Sequence, residues 1–170
     1  MAETKLVVEQ LKLSYEGLFN ISELYALINS WFYDRNWDWY EKMNQEQITP
    51  TGKQIRIILE PYKNYSDYYR GMIQIKIHIT DLKEVDVEME GQNLRLGQGE
   101  IKMIINGYLR SDRKSKWVNQ PFYWLLSIIA DKYLFHQHFQ KLERWIEMDI
   151  EDLHGKIKKY LNTYQHKFGV

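Results

Sequence analysis

Glu84, Asp86, Glu88 and Glu90 stand at every second position, so on a strand four carboxylates project from one face, the kind of oxygen row a hard cation such as calcium could use. Side chains two apart on a strand are about 6.5–7 Å apart along the chain. That is too far to share one ion without ligands from elsewhere, and a solvated face offset by lysines on neighbouring strands, Lys76 or Lys102, is the plainer expectation. His136 and His138 would suit a metal on a strand, but in a helix positions two apart diverge, so they are not read as a ligand pair. His78 stands in the row Gln74, Lys76, His78, Thr80, where it would act as a titrating base only if that face lined a cavity. His154 and His166 have no partner legible in the sequence.

The chain has no cysteine, which excludes disulfides, thiolate zinc sites and cysteine nucleophiles. GQNLRLGQG (91–99) lacks the spacing of a phosphate-binding glycine loop, and no GxxxxGK[ST], GxSxG or HExxH occurs. No catalytic residue, cofactor or metal is therefore assigned. An acid–base pair assembled from distant residues, acting on a small molecule inside a cavity, stays open, because such pairs are defined by geometry and not by order along the chain.

Aromatic side chains are the unusual feature of the composition: 15% of the chain, with 6 Trp and 13 Tyr. Trp31, Phe32 and Tyr33 are followed closely by Trp37, Trp39 and Tyr40, and Tyr62, Tyr65, Tyr68 and Tyr69 crowd one connection. Stacking on single-stranded bases would pair such rings with lysine or arginine; here the flanking charges are mixed (Asp34, Arg35, Asp38, Glu41, Lys42), and anchoring of helix to sheet is the plainer role for the tryptophans. The residues read as contacts for an apolar ligand or protein partner are Trp37, Trp39, Tyr65, Tyr68, Tyr69 and His78. A second set lies in RSDRKSKWVNQPFYWLLSII (110–129), where Arg110, Arg113, Lys114, Lys116, Trp117 and Trp124 suggest attachment to a membrane or other anionic surface. Asp112 subtracts one charge, and a polar crossover between strand and helix would have much the same composition.

The 170 residues suffice for one domain, read as 1–170, with a sizeable core. Hydrophobic residues at 44%, charged residues at 27%, and 23 basic against 23 acidic side chains describe an ordinary globule. Formal neutrality argues against a dedicated nucleic-acid binder. MAETKLVVEQLKL lacks an apolar run of signal length, and the longest apolar stretch, Phe122 to Ala130, is interrupted by Ser127 and falls short of the roughly 20 residues that span a bilayer. The expectation is a cytoplasmic protein.

These residues must be positioned by elements that periodicity predicts. Residues 5–14 read as a strand; Asn20 with Glu23 starts a helix over about 21–33. The period changes to two from Trp37, ITPTG (48–52) is a turn, and KQIRIILE completes a hairpin. GMIQIKIHIT (71–80) alternates isoleucines with polar residues, EVDVEME (84–90) alternates again, GQN and RLGQG supply turns around Leu94–Leu96, and EIKMIINGYLRSD (100–112) is the last long strand. Pro121 suits a helix start, with a buried stripe at Phe122, Leu125, Leu126, Ile129 and Tyr133. A second stripe runs through Leu142, Trp145, Ile146, Ile150, Leu153, Ile157, Tyr160, Leu161 and Tyr164. A bend is expected near His136–Gln140, and the second stripe packs either inside the monomer or in a homodimer.

The predicted fold is α+β: an antiparallel sheet of about six to seven strands, one N-terminal helix and a long C-terminal helical region. This order resembles the helix-grip arrangement of the START and polyketide-cyclase superfamily, a resemblance of topology over nearly the whole chain that implies an apolar cavity between sheet and last helix. GLFNISELY (17–25), ITDLKEVDVE (79–88) and INGYLRSD (105–112) are similar to stretches of small uncharacterised archaeal proteins, which implies no activity. The functional expectation is a non-enzymatic module that binds an apolar ligand in such a cavity or a protein partner through aromatic surface, with surface attachment through 110–124 as the alternative.

Overall fold

Alternation of branched apolar and polar side chains builds the sheet. In the computed structural model, which describes residues 3–111, 121–122, 125–126, 128–129 and 136–168, the strands are β1 (Thr4–Phe19), β2 (Glu41–Thr49), β3 (Gly52–Leu59), β4 (Tyr62–Asn64), β5 (Arg70–Met89) and β6 (Gln92–Arg110). They form one open antiparallel sheet in the order β1-β6-β5-β3-β2, with β4 paired to β5. Ile73, Ile75, Ile77 and Ile79 are buried on one face together with Ile101, Met103, Ile105 and Leu109 of β6. Gln74, Lys76, His78 and Thr80 take the opposite, polar face, as an antiparallel sheet with one wet side requires.

Asn20 starts helix α1 (Ile21–Asp34): its side-chain oxygen accepts the backbone N–H groups of Ser22 and Glu23 at 3.0 and 3.3 Å. Leu24, Ile28, Trp31 and Phe32 recur at helical spacing and are buried. The long helix α2 (His136–Phe168) presents Leu142, Ile146, Ile150, Leu153, Ile157 and Leu161, all buried, to the apolar face of the sheet. Gly71 and Gly107 let it lie close, since a Cβ on Gly107 would come within 2.5 Å of Ile150 Cδ1 and one on Gly71 within 3.2 Å of Ile146 Cδ1. Trp31 Nε1 donates to Asp152 at 2.8 Å, and the Tyr160 hydroxyl donates to the Asn20 carbonyl at 3.0 Å, so α1 and α2 are also tied to each other.

Several expectations are corrected. The segments 71–80 and 84–89 lie in one strand, β5, whose turn to β6 falls at Glu90 and Gly91, and Leu94–Leu96 and 100–110 lie in one strand, β6. The register shift between Thr80 and Lys83, with Asp81 at φ 54°, absorbs extra residues without ending the ladder. Gly97 and Gly99, expected as turn residues, lie in the strand opposite this bulge, where a Cβ would meet Leu82 Cδ1 at 2.6 Å and the Thr80 carbonyl oxygen at 2.9 Å. The strand expected from Trp37 begins only at Glu41, because Trp37 and Trp39 pack around Phe32 (ring centroids 5.8 and 6.0 Å) and the segment before Glu41 makes only the bridge Asp38–Tyr62.

The largest correction concerns the stripe Phe122, Leu125, Leu126 and Ile129. These residues are helical but 69%, 53%, 41% and 48% exposed. The α2 stripe already occupies the apolar face of the sheet, and the other face is polar. Trp145, placed in the second stripe by spacing, is also exposed. Tyr133 and whatever joins Ile129 to His136 lie outside the described residues; from His136 onward α2 is continuous. No helix among the described residues is long and apolar enough to cross a membrane.

Candidate functional site

Ser66 organises the tyrosine connection, since its hydroxyl oxygen accepts the backbone N–H groups of Tyr68 and Tyr69 at 3.2 and 3.0 Å. The turn buries Tyr69 against Phe139 and His138 of α2 (ring centroids 5.8 and 5.9 Å), packs Tyr68 edge-on to Tyr69 at 4.8 Å, and sets Tyr65 beside Trp145 at 6.1 Å. Basic groups interleave: Arg70 lies 4.5 Å over the Tyr62 ring, Lys141 5.0 Å over Trp145 and Lys5 5.4 Å over Phe139. Tyr65, Tyr68 and Tyr69 are thus brought together as one aromatic band at the N-terminal half of α2. Trp145 and Met148 expose the apolar surface of that band.

Trp37 is buried, and its indole N–H has no hydrogen-bond partner among the described residues; burial pushes the Asp149 carboxyl above its ordinary range, against the opposing pull of Lys63 and Arg35. The Tyr65 hydroxyl is buried with no hydrogen-bond partner among the described residues, and burial followed by the Asp149 charge raises its pKa. Asp152, one turn on, is held below its usual range by the Trp31 N–H, which with Lys156 and Arg35 outweighs burial. An acid whose folded pKa is raised favours the folded state below its unfolded pKa of 3.8 and loses that contribution as pH rises through the folded value. Asp149→Asn is therefore expected to raise the urea midpoint at pH 7, and the gain should shrink as pH falls below 3.8; a midpoint lowered equally at both pH values would contradict this.

The other sequence-predicted contacts are dispersed. Trp39 is half-buried beyond Phe32 and meets Tyr25 edge-on at 5.7 Å. His78 sits on the polar face of the sheet in a shallow hollow with Gln45, Gln54 and Arg56, remote in character from the aromatic band. Arg110 ends β6, directly opposite Arg70, whose guanidinium is held by Asn64 at 2.8 Å. Arg113, Lys114, Lys116, Trp117 and Trp124 lie outside the described residues.

The acidic row of β5 is solvent-facing, and its Glu84 and Asp86 are offset by Arg95 of β6 at 3.5 and 3.6 Å, not by the expected lysines. Lys102 pairs with Glu100 at 3.3 Å. No group of three metal-ligating side chains occurs among the described residues. A hollow of about 630 Å³ opens between the start of α1, the β2–β3 hairpin and the bent β5–β6 arm, with buried Ile55, Ile57, Leu82 and Leu96 as floor and Glu41, Lys53 and Arg95 on its rim. Tyr25 in its wall is pushed up to about 12, first by burial and then by its hydrogen bond to Glu41.

Tyr160 and Tyr164 share Glu23 at 3.0 and 2.6 Å, and their hydroxyl pKa values are raised as well, first by burial. Phenols with raised folded pKa values contribute stability that is complete below about 10 and is lost as pH climbs toward and past 12. Urea midpoints measured at pH 9, 10.5 and 12 should therefore fall steeply over the last interval; a flat profile would rule out these couplings.

Sequence reading missed Trp145, Met148 and Ile128 as exposed apolar groups and Asp149 as a half-buried charge. Asp149 carried no signal, since Glu143, Glu147, Glu151 and Asp152 flank the same stripe, and Arg35 and Lys63, which act on it, lie more than eighty residues away in sequence. Comparison with known proteins finds no family model, no curated protein and no solved structure that matches the chain.

Proposed function

We propose that this chain is a peripheral attachment module that docks on anionic membrane surfaces. The observation that carries the reading is the exposure of five large apolar side chains, Phe122, Leu125, Leu126, Ile128 and Ile129, all at described helical positions and within eight positions of one another in sequence. Contiguous apolar surface of this kind is unusual on a soluble globule and marks a contact site. Phe122, Leu125, Leu126 and Ile129 lie on one helical face, the arrangement with which an amphipathic helix rests in a lipid interface.

The charge around them favours lipid over a protein groove. Arg110, Arg113, Lys114 and Lys116 precede the helix within a chain whose total charge is balanced, so the positive charge is local, and each such residue near an anionic surface is worth about 1 kcal/mol. Trp117, Tyr123 and Trp124 add the ring types that settle at the headgroup level. The alternative of an apolar ligand between sheet and long helix has less support, because Ile146, Ile150, Leu153 and Ile157 fill that space against the sheet isoleucines. A protein partner on the aromatic band is favoured only by the exposed Trp145 and Met148.

Co-sedimentation of the full chain with phosphatidylcholine vesicles, with and without phosphatidylserine, tests the reading. Binding should require the anionic lipid and weaken from 50 to 500 mM salt. Equal recovery with both vesicle types, or none with either, would overturn it, and a concentration-dependent dimer in solution would reassign the apolar stripe to a second copy of this chain.

A further inference from the structure

At the C-terminal end of α1 the chain reverses through Asn36, which adopts the left-handed conformation (φ 59°) and donates its N–H to the Tyr33 carbonyl at 3.1 Å. The reversal places Tyr33 and Asp34 of the last turn against Trp37, Asp38 and Trp39 of the segment that leads to β2, around a surface hollow of about 610 Å³. Tyr33 is 80% exposed although it is a large aromatic residue, and Trp39 is half-exposed. Tyr33 stays out of the core that takes Trp31 and Phe32, and Trp39 packs only part of its surface against it.

The electrostatics of the hollow have one sign. No hydrogen bond or ion pair among the described residues engages the carboxylate of Asp34 or of Asp38. The last carbonyls of a helix add partial negative charge at the same place, and α1 has no basic residue in its last turn. The two cations beside the hollow are committed elsewhere: the Arg35 guanidinium lies 4.3 Å over the Trp31 ring and donates to Asp152 at 2.8 Å, and Lys63 Nζ donates to the Arg35 carbonyl at 2.8 Å.

Aromatic faces together with uncompensated carboxylates are the chemistry that recognises an organic cation: ring quadrupoles attract a bulky ammonium that is too weakly hydrated to stay in water, and the carboxylates supply the charge. We propose that the hollow formed by Tyr33, Trp37, Trp39, Asp34 and Asp38 is a binding site for alkylammonium groups, of the size of a choline or methylated lysine headgroup. Trp39 and Tyr33 supply the accessible ring faces, Trp37 closes the floor, and Asp34 and Asp38 flank the cation. A neutral sugar would use the same rings, but its hydroxyls gain nothing from two unpaired negative charges, so the charge selects the cation.

The test is a titration of the full chain, labelled with ¹⁵N at its indole nitrogens, with choline at constant ionic strength, and with 3,3-dimethylbutan-1-ol as the neutral compound of the same shape. Choline should shift the Trp37 and Trp39 indole resonances saturably at millimolar concentration and leave Trp145 unmoved. The neutral isostere and glucose should not. Tyr33→Ala, which removes an exposed ring without touching the core, and Asp38→Asn should each weaken binding by about tenfold, the size of one cation–π or charge contact. Tyr40→Ala, an exposed ring outside the lining, should leave it unchanged. Equal response to choline and its neutral isostere, response to glucose in place of choline, or the absence of any saturable shift would each overturn the proposal.

Discussion

The double substitution Leu125→Glu/Leu126→Glu is expected to abolish recovery with phosphatidylserine vesicles while leaving the thermal unfolding midpoint within about 2 °C of the parent chain, as surface changes do. Each leucine buried in the interface contributes roughly 1.5–3 kcal/mol, and replacing it with a carboxylate also sets a negative charge against a negative surface. Loss of both removes about 3–6 kcal/mol, comparable to the roughly 4 kcal/mol that the four basic residues supply at about 1 kcal/mol each. The stability arm separates the two roles that periodicity allows these residues. If they were core, two buried carboxylates without partners would unfold the domain; at 53% and 41% exposure they should be tolerated. A variant that neither binds nor folds would return Leu125 and Leu126 to the core and remove the attachment reading with them.

Ile150→Ala is expected to cost about 2–5 kcal/mol of unfolding free energy, seen as a lower urea midpoint with an unchanged m-value. Ile150 is fully buried at the middle of α2, and its Cδ1 is the atom that a Cβ on Gly107 would meet at 2.5 Å. That contact gives the prediction a second arm. Gly107→Ala alone forces Ile150 to move in a packed seam, where overpacking costs about 1–3 kcal/mol. Ile150→Val deletes the Cδ1 in question, so the double variant Gly107→Ala/Ile150→Val should be less destabilised than the sum of the singles, by a coupling of about 0.5 kcal/mol or more. Additive losses would mean that α2 does not sit on the sheet at this point. A Cβ at position 107 would also meet Ile146 Cγ2 at 3.1 Å, so part of the strain should survive in the double variant.

Much of the architecture was legible in the residues because it depends on neighbours in sequence. Strict alternation over Ile73 to Thr80 names a half-buried strand whatever it pairs with. The spacing of Leu142, Ile146, Ile150, Leu153, Ile157 and Leu161 names one face of a helix, and Asn20 names its own cap through two backbone N–H groups within three residues. Glycine was the weak sign: Gly97 and Gly99 read as a turn, and serve instead to accommodate the bulge across β5, a role defined by residues some seventeen positions away. The candidate site was half legible. Three tyrosines of the crowded connection converge as their density suggested, but His78 and Trp39 do not join them, and the exposed partners Trp145 and Met148 carried no signal beyond helical spacing.

By itself the sequence determined a neutral, cysteine-free, aromatic-rich α+β chain with an amphipathic last helix and a second apolar helical stripe after a basic run. It could not assign the sheet to one stripe or the other, because periodicity states that a helix has an apolar face and not what covers it. Two stripes competed for one apolar face of the sheet. Tertiary packing gave it to α2, whose six aliphatic residues share one core with the isoleucines of β5 and β6 over the close-approach glycines Gly71 and Gly107, and so left Phe122, Leu125, Leu126 and Ile129 exposed. The hollow at the end of α1 was decided in the same way: Asp34 and Asp38 read as ordinary mixed charge along the chain, and only the fold commits Arg35 and Lys63 elsewhere and leaves the carboxylates without a partner among the described residues, beside aromatic rings.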